Sequence, residues 1–393
     1  MRTDKLYTYS LLFSLVSVLT WVGTASLAHA EQANTATTQD TSAEEPITML
    51  PVPTIITEPA VGAGLGGAML FFHDSDENKN VATSDTPMMP TGITLVGGAY
   101  TRNKSMVLGF GHIGYWQQDT VRYKGFVGYG DINLDFYSVA GIDLADPIKL
   151  NLKGPAMLQT LSWRINDSNW FVGAKQTFRH VDIGLAESPF KSYEGRFFDE
   201  LNSILEQLEL ENNTSGLGLI AEYDSTDSPF DPEKGYNYHF EYLVFDDAIG
   251  SDTDYHSYIL SGLNYWHLGD KTRMGLRVDY EGVRNQGDTA LPVYVLPFID
   301  LRGIPKSRYQ GEDVIVAEAE LSYHLTPDWK VLGFSGIGKA ANSWGDLNDA
   351  SSRVTFGAGF RYLVSQRYGV RMGIDVAHGP EENAFYIQAG SSW

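Results

Sequence analysis

Tyr236-Asn237-Tyr238-His239-Phe240-Glu241-Tyr242-Leu243-Val244 is the stretch that decides the fold. Tyr236, Tyr238, Phe240, Tyr242 and Val244 fall on one side of an extended chain; Asn237, His239 and Glu241 fall on the other. Successive side chains of a strand point to opposite faces, so a period of two gives one aromatic face and one polar face. A soluble sandwich also alternates, with its polar face in water and its apolar face on a second sheet. Here the polar positions are often charged and the apolar ones often aromatic. Aromatic side chains with polar tips suit the boundary between membrane and water. A strand with lipid on one side and a lumen on the other reads this way.

Working outward, residues 274–281 repeat the pattern, with Met274, Leu276, Val278 and Tyr280 against Gly275, Arg277, Asp279 and Glu281. Further upstream, Val121, Tyr123, Val127 and Tyr129 oppose Arg122 and Lys124. Strand candidates fall near 52–58, 62–73, 91–102, 105–117, 120–133, 155–166, 169–182, 213–224, 236–247, 254–268, 271–284, 312–326, 329–341, 351–364, 368–379 and 383–393. The first is weakened by Pro51 and Pro53, which cannot donate to a ladder. Short turns such as Asn103-Lys104, Asn166-Asp167, Thr326-Pro327 and Gln366-Arg367 alternate with longer loops. The sequence predicts an all-β fold over residues 50–393: a transmembrane antiparallel β-barrel of about sixteen strands, closed so that every backbone group is satisfied in lipid.

Three longer connections stand apart. Residues 134–154 read as irregular. Residues 183–212 contain a helical spacing from 196 to 211 (Phe197, Leu201, Ile204, Leu205, Leu208), expected as a plug or lid on the loops. The third connection is 285–311.

The ends of the chain suggest export. Arg2 and Lys5 precede an apolar run from Leu11 to Val22, and Ala28-His29-Ala30 supplies a small-x-small cleavage pattern. The run is shorter than the roughly 20 residues of a spanning helix. Residues 1–30 are therefore expected to be a signal peptide, and 31–49, rich in Thr, Ala, Gln and Glu, a disordered leader. The signal carries one net positive charge, so its removal takes the formal charge from −21 to −22. So acidic a chain repels phosphates and is a poor nucleic-acid partner. Cysteine is absent, which excludes disulfides and thiolate metal sites. At the far end Phe385, Ile387 and Ala389 alternate in phase with the terminal Trp393. Such an ending resembles the sorting signal read by the bacterial barrel-assembly machinery, which is thereby an expected partner. The expected location is the outer membrane of a Gram-negative bacterium, with its lipid and lipopolysaccharide as surroundings.

Residues 301–304 are Leu301-Arg302-Gly303-Ile304, inside a run that continues Pro305-Lys306-Ser307-Arg308-Tyr309-Gln310-Gly311. This resembles the Arg-Gly motif in the sixth extracellular loop of the BamA/TamA superfamily, the bacterial surface antigen family, and five strand candidates follow it. Tyr223-Asp224-Ser225-Thr226-Asp227-Ser228-Pro229-Phe230-Asp231-Pro232-Glu233-Lys234-Gly235 looks like that family's periplasmic turn before the ninth strand. Phe356-Gly357-Ala358-Gly359-Phe360-Arg361-Tyr362 and Gly373-Ile374-Asp375-Val376-Ala377 resemble its closing strands. The resemblance covers roughly 52–393. It implies a loop folded back into the lumen, its arginine paired with carboxylates of the inner wall. Arginine suits the task because its planar fork binds carboxylates bidentately and stays charged.

By alternation Glu318, Glu320, Ser322 and His324 share one face, and Arg371, Gly373 and Asp375 share another. Glu320 and Asp375 are the expected partners of Arg302; a plain Asp375–Arg371 wall pair is the other reading. The acidic residue usual in the family's thirteenth strand has no counterpart within Gly333-Phe334-Ser335-Gly336-Ile337-Gly338. Only about twenty residues separate Glu31 from the first strand, too few for the family's periplasmic repeats, so client handling would need an unknown periplasmic partner or the barrel wall alone.

Other motifs carry less. Gly62-x-Gly64-x-Gly66-Gly67 is followed by the strand-like Ala68-Met69-Leu70-Phe71-Phe72 rather than by a helix, unlike a dinucleotide loop. The sequence has no HExxH-type histidine pair and no GxSxG elbow, so neither a metal, a cofactor nor an enzyme is expected. Acidic runs such as Asp74-Ser75-Asp76-Glu77 and Asp252-Thr253-Asp254 read as solvated loops. The expected function is protein assembly or translocation; a passive pore or structural surface barrel plugged by the inner loop is the alternative.

Overall fold

The computed structural model describes residues 49–56, 61–74, 90–139, 142–185, 210–288, 291–306, 308–366, 368–381 and 383–393. The chain forms β1 (Met49–Ile56), β2 (Gly64–His73), β3 (Gly92–Thr101), β4 (Met106–Trp116), β5 (Val121–Val139), β6 (Ile142–Arg164), β7 (Trp170–Leu185) and β8 (Leu210–Asp224). It continues with β9 (Gly235–Phe245), β10 (Tyr255–His267), β11 (Thr272–Asn285), β12 (Asp313–His324), β13 (Trp329–Ala341), β14 (Arg353–Ser365), β15 (Val370–His378) and β16 (Asn383–Ala389). They make one 16-stranded sheet in which each strand pairs only with its neighbours in sequence. This meander needs only hairpin connections.

The sheet is inside-out relative to a soluble protein. Leu219, Tyr238, Phe240, Leu321, Val354 and Phe356 are exposed on the outside, while Glu241, Glu318, Arg361 and Asp375 are buried within. At the ends of β4, β7, β9 and β13, beside the short turns, aromatic rings cluster. Trp116 stacks on Tyr123 at 5.6 Å, Trp170 meets Tyr223 at 5.2 Å and Trp329 meets Tyr362 at 4.8 Å. In transmembrane barrels, short turns and an aromatic girdle go together at one rim. Asn166, in one of these turns, has the left-handed φ of 51° that asparagine tolerates better than most residues.

The inner face is of two kinds. From β7 to β15 it carries charges. On β1–β6 it is mostly apolar, with Arg122 and Lys124 of β5 as charged exceptions: Leu50, Val52, Ala68, Phe72, Ile93, Ala99, Val107, Phe126, Ile132, Leu134 and Leu152 belong to a buried cluster that includes Tyr368, Val370 and Met372 of the β15 side and runs on through Val181, Leu243, Phe245, Tyr255 and Val283. Phe72 stacks on Tyr368 at 4.3 Å and meets Phe230 edge-on at 6.1 Å. The charged inner face read from β9 and β11 therefore describes only part of the wall.

Several other expectations need correction. The expected closed ladder is not formed: among the described residues no ladder joins β1 to β16. β16 is only seven residues long, and Gly390 turns away with a φ of 76°. Pro51 and Pro53 thus lie in an edge strand, where a missing amide donor is tolerated. The last strand was expected to reach 393; it ends at Ala389, so Trp393 does not share a strand face with Phe385 and Ile387. The segment 134–154 is not irregular, since β5 and β6 stay paired out to Val139↔Ile142. Polar residues that bond across that hairpin hid its period of two: the Asn151 side-chain amide donates to Asp131 at 2.7 Å and to Asn133 at 3.0 Å. Of the helical segment 196–211, Leu210 and Glu211 belong to β8, and the rest lies outside the described residues, as do the signal peptide and nearly all of the leader.

Candidate functional site

The connection between β11 and β12 turns back into the lumen. Leu291, Tyr294, Leu296, Ile299, Leu301, Arg302 and Ile304 are all buried. The loop braces itself: the Ile299 amide donates to the Tyr309 carbonyl at 2.9 Å and the Gly311 amide to that of Pro297 at 3.1 Å. Glycines in β13 make room for it. A Cβ on Gly336 would lie 2.7 Å from Leu301, and one on Gly338 2.5 Å from Ile299. The Gly333–Gly338 stretch that lacks a carboxylate is thus a groove for the loop.

Arg302 sits at the loop's innermost turn. Its Nε donates to Glu318 Oε1 at 2.6 Å, and Nη2 reaches the same oxygen. Nη2 lies 3.0 Å from Glu320 Oε2. Nη1 donates to Asp375 Oδ2 and to Ser392 Oγ, each at 2.8 Å. The Phe334 ring lies 3.4 Å below the guanidinium carbon, so the position without a carboxylate supplies a cation–π face. Asp375 is shared: Arg361 Nη1 donates to its Oδ1 at 2.5 Å and Nη2 to its Oδ2 at 2.9 Å. Three carboxylates and two guanidinium groups thus meet in a buried site. Burial works against the charge on Arg302, but Glu318, Glu320 and Asp375 outweigh it and raise its pKa. Gly303, with a φ of 95°, allows the turn; its missing Cβ leaves space for the backbone at His378 and Gly379, and its amide donates to the Tyr386 hydroxyl at 2.9 Å. Leu301 and Ile304 pack with Ile299, Val314 and Val316.

The two expected partners, Glu320 and Asp375, both reach Arg302. Glu318, two residues before Glu320 on the same face, reaches it too and was missed although the alternation already placed it inward. Arg361 was also missed. It lies on the inward parity of β14, and Gly359 leaves room for the Asp375 carboxylate opposite. The other reading paired Arg371 with Asp375; the structure places Arg371 elsewhere. Its Nε lies 2.9 Å from Asp231 Oδ2, and its other nitrogens donate to the carbonyls of Asp328 and Pro327, each at 2.8 Å. The turn 225–234 supplies Asp231, which also pairs with Lys330. At its far end Glu233 holds Arg273 at 2.9 Å and His324 at 2.7 Å. Burial would raise the Glu233 pKa, but the bonds from His324 and Arg273 win and hold it at about 2.

The last residues enter the same site from the rim that carries the short turns. The Gly390 amide donates to the Arg371 carbonyl at 2.7 Å and the Ser391 amide to that of Phe230 at 2.5 Å. Ser392 Oγ also accepts from Arg361 Nη2 at 2.9 Å. Tyr265 donates to the Trp393 carbonyl at 3.1 Å, and the Trp393 ring occupies the space a Cβ on Gly275 would need. A loop from one rim and a tail from the other therefore meet at Arg302.

No protein-family model matches the chain, and no curated protein matches it by sequence. Solved structures do. BamA from Haemophilus ducreyi, in a form lacking POTRA domains 1–3, superposes with a TM-score of 0.54 at 13% identity, covering 87% of this chain and 69% of that one. CdiB from Escherichia coli gives 0.56 at 10% identity, and CdiB from Acinetobacter baumannii 0.52 at 11%, each covering 87% of this chain. The chain spans 62% and 59% of those two CdiB chains. At such identities the likeness is one of fold, and this chain has the fold of the BamA and CdiB barrels.

Proposed function

We propose that this protein is an exported Gram-negative outer-membrane barrel that assists the assembly or translocation of other proteins. The observation that carries the reading is the pairing of an anchored inner loop with a sheet whose first and last strands, among the described residues, share no ladder. An unpaired edge presents a row of amide and carbonyl groups that can template another strand. The mechanism is mechanical. Arg302 fixes the loop to β12 and β15, and the anchored loop keeps the wall in shape while the β1–β16 edge is free to receive a strand. Leu301, Gly303 and Ile304 seat the loop; Glu318, Glu320 and Asp375 hold its arginine; Arg371 fastens the periplasmic turn. The barrel-assembly machinery reads the unfolded C-terminal segment, with Phe385, Ile387 and Trp393, before its tail tucks into the lumen. A periplasmic partner delivers clients.

The test is quantitative profiling of outer-membrane proteins after deletion of the gene and after its replacement by Arg302→Ala. The reading requires that a defined set of clients fall in abundance in both strains. Unchanged profiles, together with a large steady conductance that Arg302→Ala leaves unaltered, would instead favour the passive-pore reading.

A further inference from the structure

The lipid-facing surface of β2–β6 carries polar groups where apolar ones are expected. His73 Nε2 is 2.8 Å from Thr94 Oγ1, and Thr94 Oγ1 is 2.9 Å from His112 Nδ1. The three belong to β2, β3 and β4 and point outward, on the same parity as the exposed Leu65, Val96 and Phe110 of those strands. The row continues through the register: Thr94 faces His112, His112 faces Gly125 and Gly125 faces Gln159. It runs just inside the periplasmic girdle. The His112 ring is 6.3 Å from that of Tyr123, the residue stacked on Trp116.

Ionisable groups on a lipid face are costly and, where they occur, call for a functional explanation. The two imidazoles stand 5.8 Å apart on either side of Gly92 and Thr94. Gly92 has no side chain to push them away: a Cβ there would lie 3.3 Å from His112 Cε1. Among the described residues no carboxylate joins them. Asp74, the next residue after His73, instead accepts a bond from Tyr368 at 3.0 Å in the lumen, and Lys124 and Arg122 point to the inner carboxylates Glu222 and Asp224. Among the described residues no partner takes His73 Nδ1 or His112 Nε2, so both are left for an outside acceptor, and a ring nitrogen that carries its proton donates to one.

We propose that His73, Thr94 and His112 form a binding site for the headgroup phosphate of an anionic phospholipid of the periplasmic leaflet. The ring N–H groups donate to phosphate oxygens, and Thr94 holds the two rings in position. The girdle at Trp116 and Tyr123 sets the headgroup level, and in a chain of formal net charge −21 an outward pair of ring N–H donors is a local exception. The site rests on insertion of the barrel into a membrane, which can be scored separately.

The experiment is native mass spectrometry of the full chain released from mixed phosphatidylglycerol and phosphatidylcholine vesicles, comparing the wild type with His73→Phe/His112→Phe. A heat-dependent gel shift first confirms that both proteins insert; if neither does, the membrane reading itself fails. Phosphatidylglycerol should be retained about tenfold over phosphatidylcholine by the wild type. The double variant should insert normally and show less than about a twofold preference. Three results would overturn the proposal: no preference in the wild type, a preference that survives in the double variant, or a wild-type dimer that disappears in the double variant. Complete displacement of the lipid by inorganic phosphate would overturn it as well, by making a soluble anion the ligand.

Discussion

The two walls of this barrel are built on different principles. The inner faces of β7–β15 hold buried ions that pair with one another and with the inner loop, as Lys175 does with Glu241 at 2.6 Å and Arg302 with Asp375 at 2.8 Å. The inner faces of β1–β4 pack like a soluble core, through Val52, Phe72 and Ile93, and the ionic side begins at β5, where Arg122 and Lys124 pair with Asp224 and Glu222. A buried ion pair is directional and fails sharply when one partner is lost; an apolar contact is adaptable and fails in proportion to the volume removed. The charged wall is thus suited to holding a loop in one position. The apolar wall, next to the unladdered edge, is suited to rearranging without leaving charges stranded.

The contrast can be broken from its charged side first. Arg302→Ala strands Glu318, Glu320 and Asp375 against one remaining arginine. Loss of a buried partner of this kind costs about 3–5 kcal/mol. Urea unfolding of the barrel in vesicles should show that loss, and a change below about 1 kcal/mol would mean that water already enters the site. On the apolar side Phe72→Ala removes a ring that Tyr368 and Phe230 both touch. The expected cost is about 3 kcal/mol, at the low end for such truncations because the neighbouring wall can close in. Protease sensitivity near the β1–β2 end should rise with it while the Arg302 loop stays protected; equal loss at both places would show that the walls are not independent. Ser392→Ala removes one hydroxyl from two guanidinium groups that keep their carboxylates, so about 1.5 kcal/mol is expected. Its signature is release of the C-terminal tail, read by the accessibility of Trp393 to a quencher.

The smallest effect is at the rim. Glu233 titrates at about 2, below its ordinary 4.5, so its bonds to Arg273 and His324 stabilise the turn fully above about pH 4.5. That contribution is lost as the pH falls through about 2. At a part-exposed rim it is worth under about 1 kcal/mol. Unfolding midpoints of the wild type and Glu233→Gln should therefore converge between pH 4.5 and pH 2; a constant gap across that range would remove the carboxylate from the account.

What the sequence displayed follows the same division. Where one face is exposed and apolar and the other is charged, as in β9 and β11, the period of two is plain in the residues. Where both faces are apolar, as in Ala68-Met69-Leu70-Phe71-Phe72, the period vanishes and only the strand itself is legible. Arg302 with Glu320 and Asp375 could be read from alternation and the loop motif together. Glu318 carried the same signal as Glu320 and was passed over. Arg361 could not be chosen over other inward cations, because its role depends on Gly359 opposite Asp375, a relation set by strand register. Nor did the inward turn at Gly390 announce itself: the alternation up to Ala389 gives no reason for the chain to leave the sheet. It leaves because Ser392 finds two arginines and Trp393 finds the space over Gly275.

The central claim is that Arg302 and its carboxylates act as one unit that holds the inner loop. A double-mutant cycle on Arg302→Met and Glu318→Gln, read by reversible unfolding in vesicles, tests it most directly. The account predicts a coupling of at least about 2 kcal/mol, the double variant being far less damaged than the sum of the singles. Additivity to within about 0.5 kcal/mol would contradict it.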